Sequence, residues 1–283
     1  FNMVNLVSKR ILKDVTDWIF ISKGNKDPYI NRFARGCNSS VVDSNTFDYD
    51  DSENPIVLRG ILKKKWMHRC MEDARDFYYM DTGYFGNEIT KSNPNGWKFW
   101  HRIVKNNLQH NKIIERPSAR FEGFGKKFVP WNKKGKKILI AAPDEKPMKF
   151  YDTDLDTWLS ETVETIKQYT DRPIEIRQRS KQRADRMVSN TLEQALADDV
   201  FALVTFNSNA AVESVFQGIP VFTLAPVSAA LPVGSNDLTK IETPHYPTQD
   251  VLWAWGCHLA HGQFHDSELR TGKAKAYLEE TWT

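Results

Sequence analysis

The segment Val200–Phe222, VFALVTFNSNAAVESVFQGIPVF, constrains the fold of this chain more than any other. Val200–Thr205 carries no charge and is rich in β-branched and aromatic residues, the pattern of a strand buried on both faces. Asn207-Ser208-Asn209 interrupts it with small polar residues suited to a helix start. A helix is predicted over Ala210–Gln217, stopped by Gly218, and Ile219–Phe222 opens another strand. The simplest reading is a parallel β-α-β unit, and its strand-to-helix turn is where such sheets bind ligands. Free amides at the helix start there suit a diphosphate.

The flanking sequence repeats the alternation. Strands are predicted at Lys137–Ala142 and Pro173–Arg177, and helices at Asp154–Tyr169 and Thr191–Ala197. The second helix is expected to be capped by Asn190, with Glu193 completing a capping-box pattern. Alternating strands and helices imply a parallel sheet covered on both faces. Upstream, Asp17–Ser22, Pro55–Leu58 and Asp76–Met80 read as strands, and Lys63–Arg75 as a basic helix. Asn38–Asn54 is expected to be a loop, residues 86–134 loops and short elements, and Thr248–Glu280 helical.

At 283 residues the chain has room for one large domain or two ordinary ones. No apolar run approaches a membrane span, and the first residues lack a secretory pattern. Cys37, Cys70 and Cys257 form neither a metal-ligand spacing nor a disulfide framework, so a cytoplasmic setting is expected. Charge is unevenly distributed: residues 1–137 hold 26 Lys+Arg against 15 Asp+Glu, and the remainder 13 against 21. A basic half joined to an acidic half suggests either a polyanion partner for the first or complementary packing of the two.

Ser208, then Glu213, then Gly218-x-Pro220-Val221 resembles the nucleotide-sugar site of GT-B enzymes, which include glycosyltransferases and sugar-nucleotide 2-epimerases. The resemblance covers residues 137–275, and within it Pro173–Arg177, Ser208–Val221 and the Trp-rich end also look like capsule-type sugar transferases and proteins of bacterial viruses. It implies an α/β, GT-B-like fold of two Rossmann-like domains facing a cleft, the N-terminal one degenerate. Residues 1–134 would form a basic acceptor-side domain, and residues 135–283 a donor-binding domain whose terminal helices pack back. Ser208, Asn209 and the neighbouring Asn207 would hold the donor diphosphate, and Glu213 the nucleotide ribose. A UDP-sugar is the expected co-substrate, with no obligatory cofactor.

Glycosyl transfer needs a held leaving group, an acceptor hydroxyl and, for inversion, a base beside that hydroxyl. Arg177 directly follows a strand and is the candidate phosphate ligand. Asp81, at the end of a hydrophobic strand two residues before Gly83, is the candidate base; a turn-forming Asp is the alternative. His68, His101 and His245 are further candidates. Asp152 and Asp154 have the Asp-x-Asp spacing of a divalent-metal site, but at a helix start capping is the preferred reading, and no metal is expected. Lys63, Lys64, Lys65 and Arg69 beside Trp66, and Lys126 and Lys127 beside Phe128, are candidate contacts to an anionic polymer. Together with the virus-like resemblance they make hydroxymethylpyrimidine in DNA the expected acceptor. Surface polysaccharide, a 2-epimerase, and a DNA-binding protein with an inactive transferase fold are the alternatives.

Overall fold

In a computed structural model the described residues are 17–50, 52–60, 64–88, 96–178 and 191–281. The first sheet collects β1 (Ile19–Ser22), β2 (Val41–Asp43), β3 (Ile56–Arg59), β4 (Phe77–Thr82) and β5 (Trp100–Lys105), and is completed by β10 (Gln263–His265) from near the end of the chain. Its order is β10-β5-β4-β3-β1-β2. The four strands from β4 to β2 are parallel, whereas β5 runs antiparallel to both β4 and β10. The second sheet, β6 (Lys137–Ala141), β7 (Ile174–Arg177), β8 (Val200–Thr205) and β9 (Val221–Thr223), is wholly parallel in the order β7-β6-β8-β9.

Ten helices connect or cover these strands among the described residues: α1 (Pro28–Gly36), α2 (Lys64–Glu72), α3 (Ala119–Glu122), α4 (Glu145–Phe150), α5 (Leu155–Lys167), α6 (Leu192–Ala197), α7 (Ala210–Phe216), α8 (Gln249–His261), α9 (Asp266–Arg270) and α10 (Lys273–Thr281). Local chemistry explains several starts. Asp27 accepts from the amides of Tyr29 and Ile30 and Pro28 is pre-set for the first turn, which together begin α1. Asp154 accepts from the Thr157 amide and caps α5, while Asp152 pairs with Lys64; both carboxylates of the Asp-x-Asp are therefore engaged. The capping box of α6 is made by Thr191 and Gln194 rather than by Glu193, and Asn190 lies outside the described residues.

All six residues of β8 are buried, as a central strand of a parallel sheet requires. In α7 only Glu213 is exposed, and the small residues Ala210, Ala211 and Ser214 let that helix lie close on the sheet. One core joins α7 and α8 to the second sheet and takes in Tyr84, Phe85 and Phe121 from the first half of the chain. Another lies on the α1 face of the first sheet and takes in Phe264, Leu269, Ala274 and Leu278. The end of the chain thus packs with the beginning.

Two expectations fail, for one physical reason. β2 lies in the expected loop and β10 in the expected helical stretch; each has three residues, too few for a period to register. β5, WHRIVK, is one of the short elements expected within residues 86–134, though its charges hide the alternation that would have marked it as a strand. Those charges are compensated: His101 is buried, and Arg102 meets a carboxylate across the strand pair.

Candidate functional site

The site is built where the carboxyl edges of the two sheets meet. On the first sheet Tyr79 and Asp81 stand two residues apart in β4 and share a face. In the antiparallel register Asp81 lies opposite Arg102 of β5, which puts both side chains on that face. Arg102 Nη2 lies 3.3 Å from Asp81 Oδ2, and its Nη1 donates to the Thr82 carbonyl at 2.7 Å. The Tyr79 hydroxyl donates to the same Oδ2 at 2.7 Å, and the Thr82 amide donates to Oδ1 at 2.7 Å. Burial pushes the Asp81 carboxyl up, but the Arg102 charge, these two hydrogen bonds and Arg59 outweigh it and hold the carboxyl below its ordinary range. Arg59, at the end of β3, pairs with Asp27 at 2.9 Å and lies over the Tyr29 ring. Burial drives His101 down to about 4, so it is neutral; His68 packs edge-on against Phe150, and His245 is exposed.

On the second sheet, Arg177 and Thr205 both align with Ala141, from either side. By strand spacing their backbones lie about 10 Å apart along one carboxyl edge. The structure thereby brings Arg177 and the turn after β8 together. In that turn the Ser208 hydroxyl accepts from the Ala210 amide at 3.2 Å. The Asn207 carbonyl accepts from Gln109 Nε2 at 2.9 Å, and Gln109 Oε1 accepts from the Ala229 amide at 2.9 Å. Asn209 Nδ2 donates to the Gly83 carbonyl at 3.0 Å, joining the start of α7 to the turn that follows Asp81. Glu213, one helical turn after Asn209, is exposed on α7.

Gln109, a buried amide in a loop, stands in no pattern that marks it beforehand. Arg102 was hidden as well, because the charges of WHRIVK mask the strand that carries it.

The basic clusters are mostly committed within the chain. Lys64 pairs with Asp152 at 2.5 Å, and Arg69 with Asp50 at 2.7 Å and Asp73 at 3.5 Å. Lys126 pairs with Glu88, and Lys65 lies over the Trp66 ring at 4.6 Å. Lys127 is exposed, and Lys63 lies outside the described residues. The interleaved rings have protein neighbours too: Trp66 stacks on Tyr49 at 5.9 Å, Phe128 stacks on Phe216 at 4.8 Å, and Trp131 donates to the Pro247 carbonyl. Beside the junction, a cavity of about 360 Å³ is walled by His68, Leu108, Phe150 and Tyr151. Among the described residues no three His, Cys, Asp or Glu side chains group to hold a metal, and no helix is long and apolar enough to cross a membrane.

No family model and no curated protein matches the chain. Among solved structures it is similar to a β-Kdo 2,7 transferase of KpsC from Thermosulfurimonas dismutans, with a TM-score of 0.50 and 10% identity over 92% of this chain and 99% of that one. It is also similar to the β-Kdo 2,4 transferase of the same KpsC, with a TM-score of 0.48 and 12% identity over 84% and 89%. At this identity the first likeness establishes a shared mixed α/β fold, in a chain of nearly matching extent.

Proposed function

We propose that the chain is a glycosyltransferase that moves a sugar from a nucleotide-sugar donor to a hydroxyl of a saccharide. The observation that carries this reading is the meeting of two carboxyl edges, one bearing a held carboxylate at Asp81 and the other Arg177 beside the Asn207–Asn209 turn. Ligands of open α/β sheets bind at that edge. In this reading the two sheets are the halves of a GT-B arrangement. Arg177, Ser208 and the amides of the turn hold the donor phosphates, and Glu213 reaches the nucleotide ribose from the exposed side of α7. Asp81 takes the proton of the acceptor hydroxyl. The acceptor oxygen then bonds to the anomeric carbon, whose bond to the phosphate oxygen breaks with its electron pair leaving on the nucleotide. A UDP-sugar is the first donor to test.

The acceptor reading turns on charge. Lys64, Arg69 and Lys126, candidates for phosphate contacts, already face carboxylates of the chain, which lowers the potential available to a DNA backbone. This favours a saccharide over hydroxymethylpyrimidine in DNA.

The test is a panel of nucleotide sugars offered with acidic and neutral oligosaccharides, and in parallel with hydroxymethylcytosine DNA, read by product mass. A glycosyl adduct on an oligosaccharide with unmodified DNA is the expected result. An adduct on DNA alone overturns the acceptor reading, and absence of any transfer or donor cleavage overturns the enzyme reading.

A further inference from the structure

The carboxylate of Asp81 has places for four hydrogen bonds, two on each oxygen. Tyr79 and Arg102 occupy both on Oδ2, and the Thr82 amide takes one on Oδ1. Among the described residues one lone pair of Oδ1 remains, on a side chain that is 34% exposed. Arg102 is by contrast only 8% exposed. Its second terminal nitrogen is fastened to the Thr82 carbonyl, and its guanidinium carbon lies 5.4 Å from the centre of the Tyr84 ring and 5.8 Å from that of Tyr79. Both members of the pair stand on paired strands, so the sheet fixes the backbone from which each side chain projects.

The titratable groups facing Asp81 are Tyr79 on β4, Arg59 on β3, Arg102 and His101 on β5, and Tyr84 in the loop after β4. Burial keeps His101 neutral down to about 4, lifts Tyr84 to about 12, and lifts Tyr79 well above its ordinary value. Among the described residues two guanidiniums are therefore the charges that act on Asp81 at neutral pH, and Arg102 is the one in contact.

We infer that Arg102 is a positioning residue for the proton acceptor: with Tyr79 it immobilises Oδ2, so that the free lone pair of Oδ1 is presented to the acceptor hydroxyl. This rests on the glycosyl-transfer reading above. In the transfer step the hydroxyl proton passes to Oδ1, while Oδ2 stays bonded to Tyr79 and Arg102. The pair then has two separable effects. As a charge, Arg102 sets the pH at which Asp81 becomes protonated; as a fork anchored at Thr82, it sets the direction of the carboxylate.

Both effects are testable in the full chain. The Asp81 carboxyl is titrated by ¹³C NMR, and kcat for sugar transfer is followed against pH, in wild type, Arg102→Gln, Arg102→Lys and Tyr79→Phe. In wild type both midpoints are expected below the ordinary aspartate value of about 3.9. In Arg102→Gln, with its charge gone and burial remaining, both midpoints move up together by about 1–3 pH units. Arg102→Lys restores the midpoint but not kcat, since an ammonium cannot hold Thr82 and Asp81 at once. Tyr79→Phe gives a smaller upward move of both, and keeps the test open if the Gln variant does not fold. If the NMR midpoint moves while the acid limb of kcat stays in place, Asp81 is not the proton acceptor and the inference fails, with transfer itself intact. If wild type transfers no sugar to any acceptor, the reading beneath it fails.

Discussion

At the residue scale, the chemistry of this chain rests on buried polar groups that have found partners. Asp27 is a case in which one carboxylate does two tasks: Oδ1 caps α1 and Oδ2 holds Arg59. Asp27→Ala is expected to cost about 1–3 kcal/mol, the sum of a lost cap and a half-buried ion pair, measured by urea unfolding. A loss no larger than that of an exposed surface substitution would show that Arg59 finds another partner. Asp81 was legible in the sequence as a carboxylate ending a hydrophobic strand, but its partner was not. Pairing across strands depends on register, and β5 was hidden by the very charges that make it pair. Arg177 and Ser208 were legible because one closes a strand and the other lies in the turn after one, which fixes which edge of the sheet each occupies. Glu213 was legible as spacing only; its exposed side of α7 is a matter of helix rotation.

At the scale of elements, strong apolar runs and turn residues located β6, β7, β8 and α7 closely, whereas three-residue strands left no pattern to read. Gly218 makes the β8-α7-β9 unit close. It adopts φ +70°, and a Cβ there would fall 2.4 Å from the Pro130 carbonyl oxygen. Gly60 has a similar φ of +76° but open space around a Cβ. Gly60→Ala is therefore expected to cost about 1–2 kcal/mol, from backbone conformation alone. Gly218→Ala should cost clearly more, because backbone must move as well. Equal losses of unfolding free energy in the two variants would contradict the close-approach argument.

At the scale of the whole molecule, the two sheets are held by groups that a single-sheet view would miss. Gln109 ties the loop after β5 to both the Asn207 carbonyl and the Ala229 amide, and Gln109→Ala leaves two buried backbone groups unpaired, at about 1–3 kcal/mol each. The loss is read as a fall in urea midpoint. The junction also carries buried histidines: His110 and His258 sit ring to ring at 5.4 Å, and burial pushes His258 and His101 down to about 4 and His110 well below its ordinary value. A histidine held neutral in the folded chain takes up its proton first in the unfolded one. Stability from these groups is therefore complete above pH ~6.5 and falls as pH drops toward 4, by roughly 1 kcal/mol per pH unit for each histidine. Urea midpoints measured from pH 7 to pH 5 should show that decline; a flat profile would mean that the histidines are reached by water.

The most direct test of the account is to measure transfer and donor binding in the same two variants, Asp81→Asn and Arg177→Ala. Asp81→Asn is expected to bind the nucleotide-sugar donor as wild type does but to lose sugar transfer by about 10²–10⁴-fold, the range for removal of a general base. Arg177→Ala is expected to lose donor affinity. Full turnover by Asp81→Asn, or undiminished donor binding by Arg177→Ala, would contradict a transferase site built across the two sheet edges.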